Sequence, residues 1–115
     1  MGFWIHVPTG NPVLYVTGSL PTTTSIDLFA NAGGWNLVGF PSASEKALPD
    51  VLRDHGLGTS YSLVYAFHLA DVDPWKMYDR TAPLWVNDLL ALTPAWGYWV
   101  QVTGTETLHW SVSYP

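Results

Sequence analysis

Residues 97–102 read Gly97-Tyr98-Trp99-Val100-Gln101-Val102, and the same pattern occurs 95 residues earlier as Gly2-Phe3-Trp4-Ile5-His6-Val7. Four of the six pairs are identical or aliphatic exchanges, and a fifth swaps one aromatic for another. Carried onward, the offset sets Val13 against Leu108 and Tyr15 against Trp110. Both copies alternate apolar and polar residues, the pattern of a half-buried strand. Both run on through a turn-prone stretch, Pro8-Thr9-Gly10-Asn11-Pro12 in one and Thr103-Gly104-Thr105-Glu106 in the other. Each end of the chain therefore reads as a two-stranded hairpin. The repeat is too long for a solenoid unit and suits a domain-sized module in a tandem array. On this reading residues 1–18 are a hairpin equivalent to the closing hairpin of a preceding module. Residues 19–115 are one β-rich module, and Met1 marks no natural domain edge.

Between the two ends, the pattern is a succession of short strands and turns. Ser25-Ile26-Asp27-Leu28-Phe29 alternates as a strand, and Asn31-Ala32-Gly33-Gly34 is a turn. Trp35 to Phe40 is the next strand, ended by Pro41. Ser44 reads as a helix cap, with Ala47, Leu48, Val51 and Leu52 at helical spacing and Gly56 closing the segment; Pro49 makes that helix short or kinked. Tyr61 to Phe67 is a strand with aromatics on one face, and Trp75-Lys76-Met77-Tyr78 returns as its hairpin partner. Asn87 or Asp88 is positioned to cap a short turn through Leu92, and Thr93-Pro94-Ala95-Trp96 leads into the closing hairpin. The expected fold is mainly β: a sandwich or partly open barrel of about eight short strands with one or two short helices.

Composition agrees. The chain has 115 residues, 48% of them hydrophobic and 15% aromatic, with no cysteine and a formal net charge of -5. That length suits one domain, and that apolar fraction supports a core without disulfides or metal. Charged residues are only 11% of the chain, which excludes disorder and a coiled coil. Four basic residues cannot neutralise a phosphate backbone, so nucleic acid is not an expected partner. No apolar run is long enough to span a membrane, and no signal peptide is read after Met1.

Several of these segments together resemble a known type of module. They are Gly34-Trp35-Asn36-Leu37-Val38-Gly39-Phe40-Pro41, Val64-Tyr65-Ala66-Phe67, Trp75-Lys76-Met77-Tyr78-Asp79, Asn87-Asp88-Leu89, and Leu92-Thr93-Pro94-Ala95-Trp96-Gly97-Tyr98-Trp99-Val100. The chain is similar over about residues 20–110 to modules repeated in large secreted and cell-surface proteins of bacteria and archaea. Those share GWNL-V/I-G-x-P near the start and L-x-P-G-x-GYW-V/I near the end. The chain departs at Ala95, where the pattern has Gly. The resemblance implies a β-rich extracellular or cell-surface module within a larger protein, and it supplies no catalytic residues.

Site chemistry is sparse. His6, His55, His68 and His109 show no metal-ligand spacing. Asp71 and Asp73 are candidate calcium ligands, although turn capping accounts for them as well. No nucleophile elbow, SxxK or phosphate loop occurs. Asp27, Glu45, Asp50, Asp54, Asp79, Asp88 and Glu106 fall in turns or on the helix surface rather than as a cleft pair. The reading is of a noncatalytic chain without a cofactor.

The aromatics divide in two. Trp35, Phe40, Tyr65, Phe67, Tyr98 and Trp99 alternate within strands and are expected in the core. Trp75, Trp85 and Trp96 lie near loops, where a flat ring can stack on a sugar. The leading function is a spacer, adhesion or assembly module; the alternative is carbohydrate binding through Trp75, Trp85 and Trp96. The repeat adds an expectation about partners. Residues 1–18 and 97–113 compete for one sheet edge, leaving one hairpin to pair with a neighbouring module or another copy.

Overall fold

A computed structural model of the protein describes residues 6–15, 17–19 and 21–115. Among them are eight strands: β1 (Thr23–Leu28), β2 (Trp35–Gly39), β3 (Lys46–Ala47), β4 (Tyr61–Phe67), β5 (Trp75–Asp79), β6 (Ala91–Leu92), β7 (Gly97–Val102) and β8 (Leu108–Ser113). One helical turn, α1 (Asp50–Leu52), runs into an irregular turn at Arg53–Leu57. The fold is mainly β and built from open sheets, as the alternation predicts. A four-stranded antiparallel sheet has the order β2-β7-β4-β5, and a two-stranded sheet pairs β1 with β8. The short strands β3 and β6 form a third pair.

The core lies between the two larger sheets. Alternate residues of the four-stranded sheet point inward and are buried: Val38, Val64, Ala66, Tyr78, Tyr98 and Val100. Leu28, Trp110 and Val112 meet them from β1 and β8. Trp110 stacks on Phe40 with ring centroids 6.2 Å apart, and its indole N–H donates to the Val51 carbonyl at 2.8 Å. That bond satisfies a buried donor and ties α1 to β8. Gly56 then lets the irregular turn press against β8: its φ is +121°, and a Cβ there would run into the His109 carbonyl.

Several expectations need correction. Residues 97–113 are not a hairpin. β7 has β2 on one side and β4 on the other, so neither edge is left for β8, which pairs with β1 instead. The chain turns a corner from one sheet to the other at residues 103–107. At the other end, the first strand of the expected hairpin lies largely outside the described residues. Its remainder, residues 6–15 and 17–18, contains no strand. The helix expected from Ser44 to Gly56 shrinks to α1 and the turn after it. Pro49 lacks an N–H and disfavours helical backbone at Leu48. The preceding residues Lys46 and Ala47 therefore pair with Leu92 and Ala91, and the Leu48 N–H donates to the Leu90 carbonyl at 2.9 Å. Nor do Asn87 and Asp88 cap a turn; they bond to β5.

Two of the four edges of the larger sheets are covered. Along β5, Asp88 Oδ1 accepts from the Met77 N–H at 2.7 Å and Asn87 Oδ1 from the Asp79 N–H at 2.8 Å. Along β8, the cover is the turn carrying Gly56. Residues of the remaining edges, Ile26 and Asp27 of β1 and Asn36 to Gly39 of β2, line one pocket between them.

Candidate functional site

The second sheet covers only one face of the four-stranded sheet. On the other face, the register lines up one row across all four strands: Leu37 beside Trp99, Trp99 beside Tyr65, Tyr65 beside Met77. Trp35 flanks this row on one side, and the cross-strand pair Phe67 and Trp75 flanks it on the other. Exposure is 39% at Trp35, 63% at Leu37, 42% at Trp99, 47% at Phe67 and 56% at Trp75. Tyr65 and Met77 are half-buried between them.

This overturns the expectation that Trp35, Tyr65, Phe67 and Trp99 belong to the core with Phe40 and Tyr98. Phe40 and Tyr98 have the opposite strand parity and are buried. With side chains of 150–250 Å² each, the five exposed residues leave roughly 500 Å² of apolar surface in one patch. A soluble monomer's largest such patch is about 300–600 Å² and is often functional.

The rings do not share a plane. Trp35 and Tyr65 are tilted by 34° with centroids 5.7 Å apart, and Phe67 meets Trp75 edge-on at 62° and 5.0 Å. Hydrophilic groups are few. Gln101, at the margin, has its amide held by the Gly33 carbonyl and receives the Ser62 hydroxyl.

The three loop tryptophans do not form one site. Trp75 belongs to the sheet face. Trp96 sits at the same end of the sheet but on the inward parity, with its ring 3.6 Å from that of His68. Trp85, 85% exposed, lies in the turn Leu84–Val86 beyond the opposite end of β5. Asp71 Oδ2 lies 3.5 Å from His68 Nδ1 and 3.9 Å from Lys76 Nζ, while Asp79 caps its own turn through the Thr81 N–H and hydroxyl. Those two bonds hold the Asp79 carboxyl below its usual range. Among the described residues, no three His, Cys, Asp or Glu side chains gather as a metal site. None of the helices described is long and apolar enough to cross a membrane.

Comparison with protein-family models, with curated proteins and with solved structures finds no match to this chain.

Proposed function

We propose that the chain is a noncatalytic assembly module of an extracellular or cell-surface protein, and that it works by docking its aromatic sheet face against another module of the same kind. The observation that carries this is the row Leu37–Trp99–Tyr65–Met77 with Trp35, Phe67 and Trp75 around it. Antiparallel strands with one solvated face ordinarily carry polar residues on it, so a second apolar face on this sheet is unusual. Here the inner face has its cover and the outer face is left to a partner. A stable interface buries about 800 Å² on each side, so a patch of roughly 500 Å² would make up the apolar core of one.

Carbohydrate binding is the rival reading, and the tilts between rings count against it. A flat polysaccharide stacks on coplanar rings, whereas an interdigitating protein surface accommodates rings at 34° and 62°. Leu37 and Met77 in the central row add aliphatic surface that suits protein packing. Sedimentation velocity at rising concentration tests the proposal. The chain is expected to self-associate, and Phe67→Ser with Trp75→Ser to weaken that association at least tenfold while leaving the melting temperature within a few degrees. Binding to cellulose or chitin that is lost in the same variant, without self-association, would favour the sugar reading instead.

A further inference from the structure

β1 and β2 follow one another in the chain but do not pair; among the described residues each is the end strand of its sheet. They line a groove between them. One part, about 400 Å³, is walled by Thr24 and Ile26 of β1 and by Gly39, Phe40, Pro41 and Trp96. The other, about 270 Å³, lies between Ile26, Asp27 and Phe29 on one side and Asn36 to Gly39 on the other. Ile26 and Gly39 line both, so the two parts meet there.

The backbone on each wall is aimed into this groove. In an antiparallel pair, alternate residues direct their N–H and C=O groups to the partner strand. The Phe40 N–H donates to the Trp96 carbonyl, which sets the even residues of β2 toward β7 and turns Leu37 and Gly39 outward. The Tyr114 N–H donates to the Thr22 carbonyl, which sets the even residues of β1 toward β8 and turns Ser25 and Asp27 outward. The next outward residue, Phe29, is satisfied: Asn36 Oδ1 accepts from its N–H at 2.9 Å and Asn36 Nδ2 donates to its carbonyl at 3.0 Å. The amide side chain thus makes the two bonds that a neighbouring strand would make. Beyond it, the backbone groups of Ser25, Asp27, Leu37 and Gly39 have no protein partner among the described residues.

We infer that this groove is a strand-acceptor slot, and that its occupant is the segment Val13-Leu14-Tyr15 of a second copy of the chain, adding as an extended strand. These three residues are β-prone and uncharged, carry no secondary structure, and are 68%, 70% and 84% exposed. They line neither part of their own molecule's groove. Apart from Asp27, no charge on the groove walls opposes them, which matters between copies that each carry a net charge of -5. Strand addition supplies backbone bonds along an open edge and pockets for alternate side chains. The slot does not depend on the aromatic face being a docking surface.

The chain contains no cysteine, so single cysteines report without interference. Leu14→Cys chains are mixed with Gly39→Cys chains and oxidised, with Leu14→Cys plus Val72→Cys as the control for random collision. Gly39 has open space around its Cβ position, and Val72 is fully exposed. The 14–39 heterodimer is expected in at least tenfold excess over the 14–72 product, and Tyr15→Pro in the Leu14→Cys chain is expected to remove that excess. Equal yields would overturn the inference. So would a Leu14→Cys/Gly39→Cys double variant that closes within one molecule. The same mixture is run in the Phe67→Ser/Trp75→Ser background. A selective link that survives there, with self-association otherwise weakened, keeps the slot separate from the aromatic face; loss of the selective link alone sinks the slot.

Discussion

Asn36 takes the place of a strand beside Phe29. Its side-chain amide exchanges a donor and an acceptor with the Phe29 backbone at 2.9 and 3.0 Å, and donates as well to the Gly34 carbonyl at 3.0 Å. This contact holds the start of β2 against the end of β1 where the two strands would otherwise splay from their connection. Asn36→Ala leaves the Phe29 groups without a protein partner and is expected to lower unfolding free energy by about 1–2 kcal/mol, read from urea denaturation. Asn36→Asp sets a carboxylate against two carbonyls. It is expected to be worse at neutral pH and to recover in part below about pH 4, where the acid is protonated and donates again.

Ala95 has a φ of 66°, making it the one described non-glycine residue in the left-handed region. A side chain in that region costs about 1–2 kcal/mol, offset in part by the greater freedom of glycine in the unfolded chain. Ala95→Gly is therefore expected to stabilise the protein by roughly 0.5–1 kcal/mol. A decrease in melting temperature would show that the turn before β7 is not strained.

Trp110 is fully buried and bonded to the Val51 carbonyl. Trp110→Phe removes volume from the space between the sheets and leaves that carbonyl unpaired. The loss is expected to be about 2–3 kcal/mol by chemical denaturation. A loss under 1 kcal/mol would mean that α1 is not anchored through this residue.

Tyr61 is buried against Tyr78, with ring centroids 6.4 Å apart. Burial, and then the neighbouring Tyr78 phenol, push its hydroxyl up to about 12. The unfolded chain ionises at about pH 10. The folded state therefore keeps the proton longer, and the stability linked to it is complete below about pH 10 and drains away as pH rises to about 12. Stability measured across that range is expected to fall less steeply in Tyr61→Phe.

Much of the fold was legible because its signals are local. The alternation over Tyr61–Phe67 and the return through Trp75 mark β4 and β5, and both pair as expected. The corner between β7 and β8 was not legible, because a turn-rich connection looks alike whether the next strand pairs back or crosses to another sheet. What decides it is distant: β2 and β4 already occupy both edges of β7. The aromatic face was half visible. Trp35 and Leu37, Tyr65 and Phe67, and Trp99 share one strand parity, opposite to Val38, Val64 and Tyr98. Both sets are apolar, so nothing local says which one the second sheet covers. Proximity to loops was a poorer guide than parity, since it grouped Trp75 with Trp85 and Trp96, which lie apart.

The claim that the aromatic face meets another module is tested most directly by hydroxyl-radical labelling of tryptophan, read residue by residue by mass spectrometry in dilute and concentrated samples. Trp75 and Trp99 are expected to be labelled several-fold more slowly when concentrated, with Trp85 unchanged. Equal labelling of Trp75 and Trp99 at both concentrations, or protection of Trp85 in their place, would contradict the account.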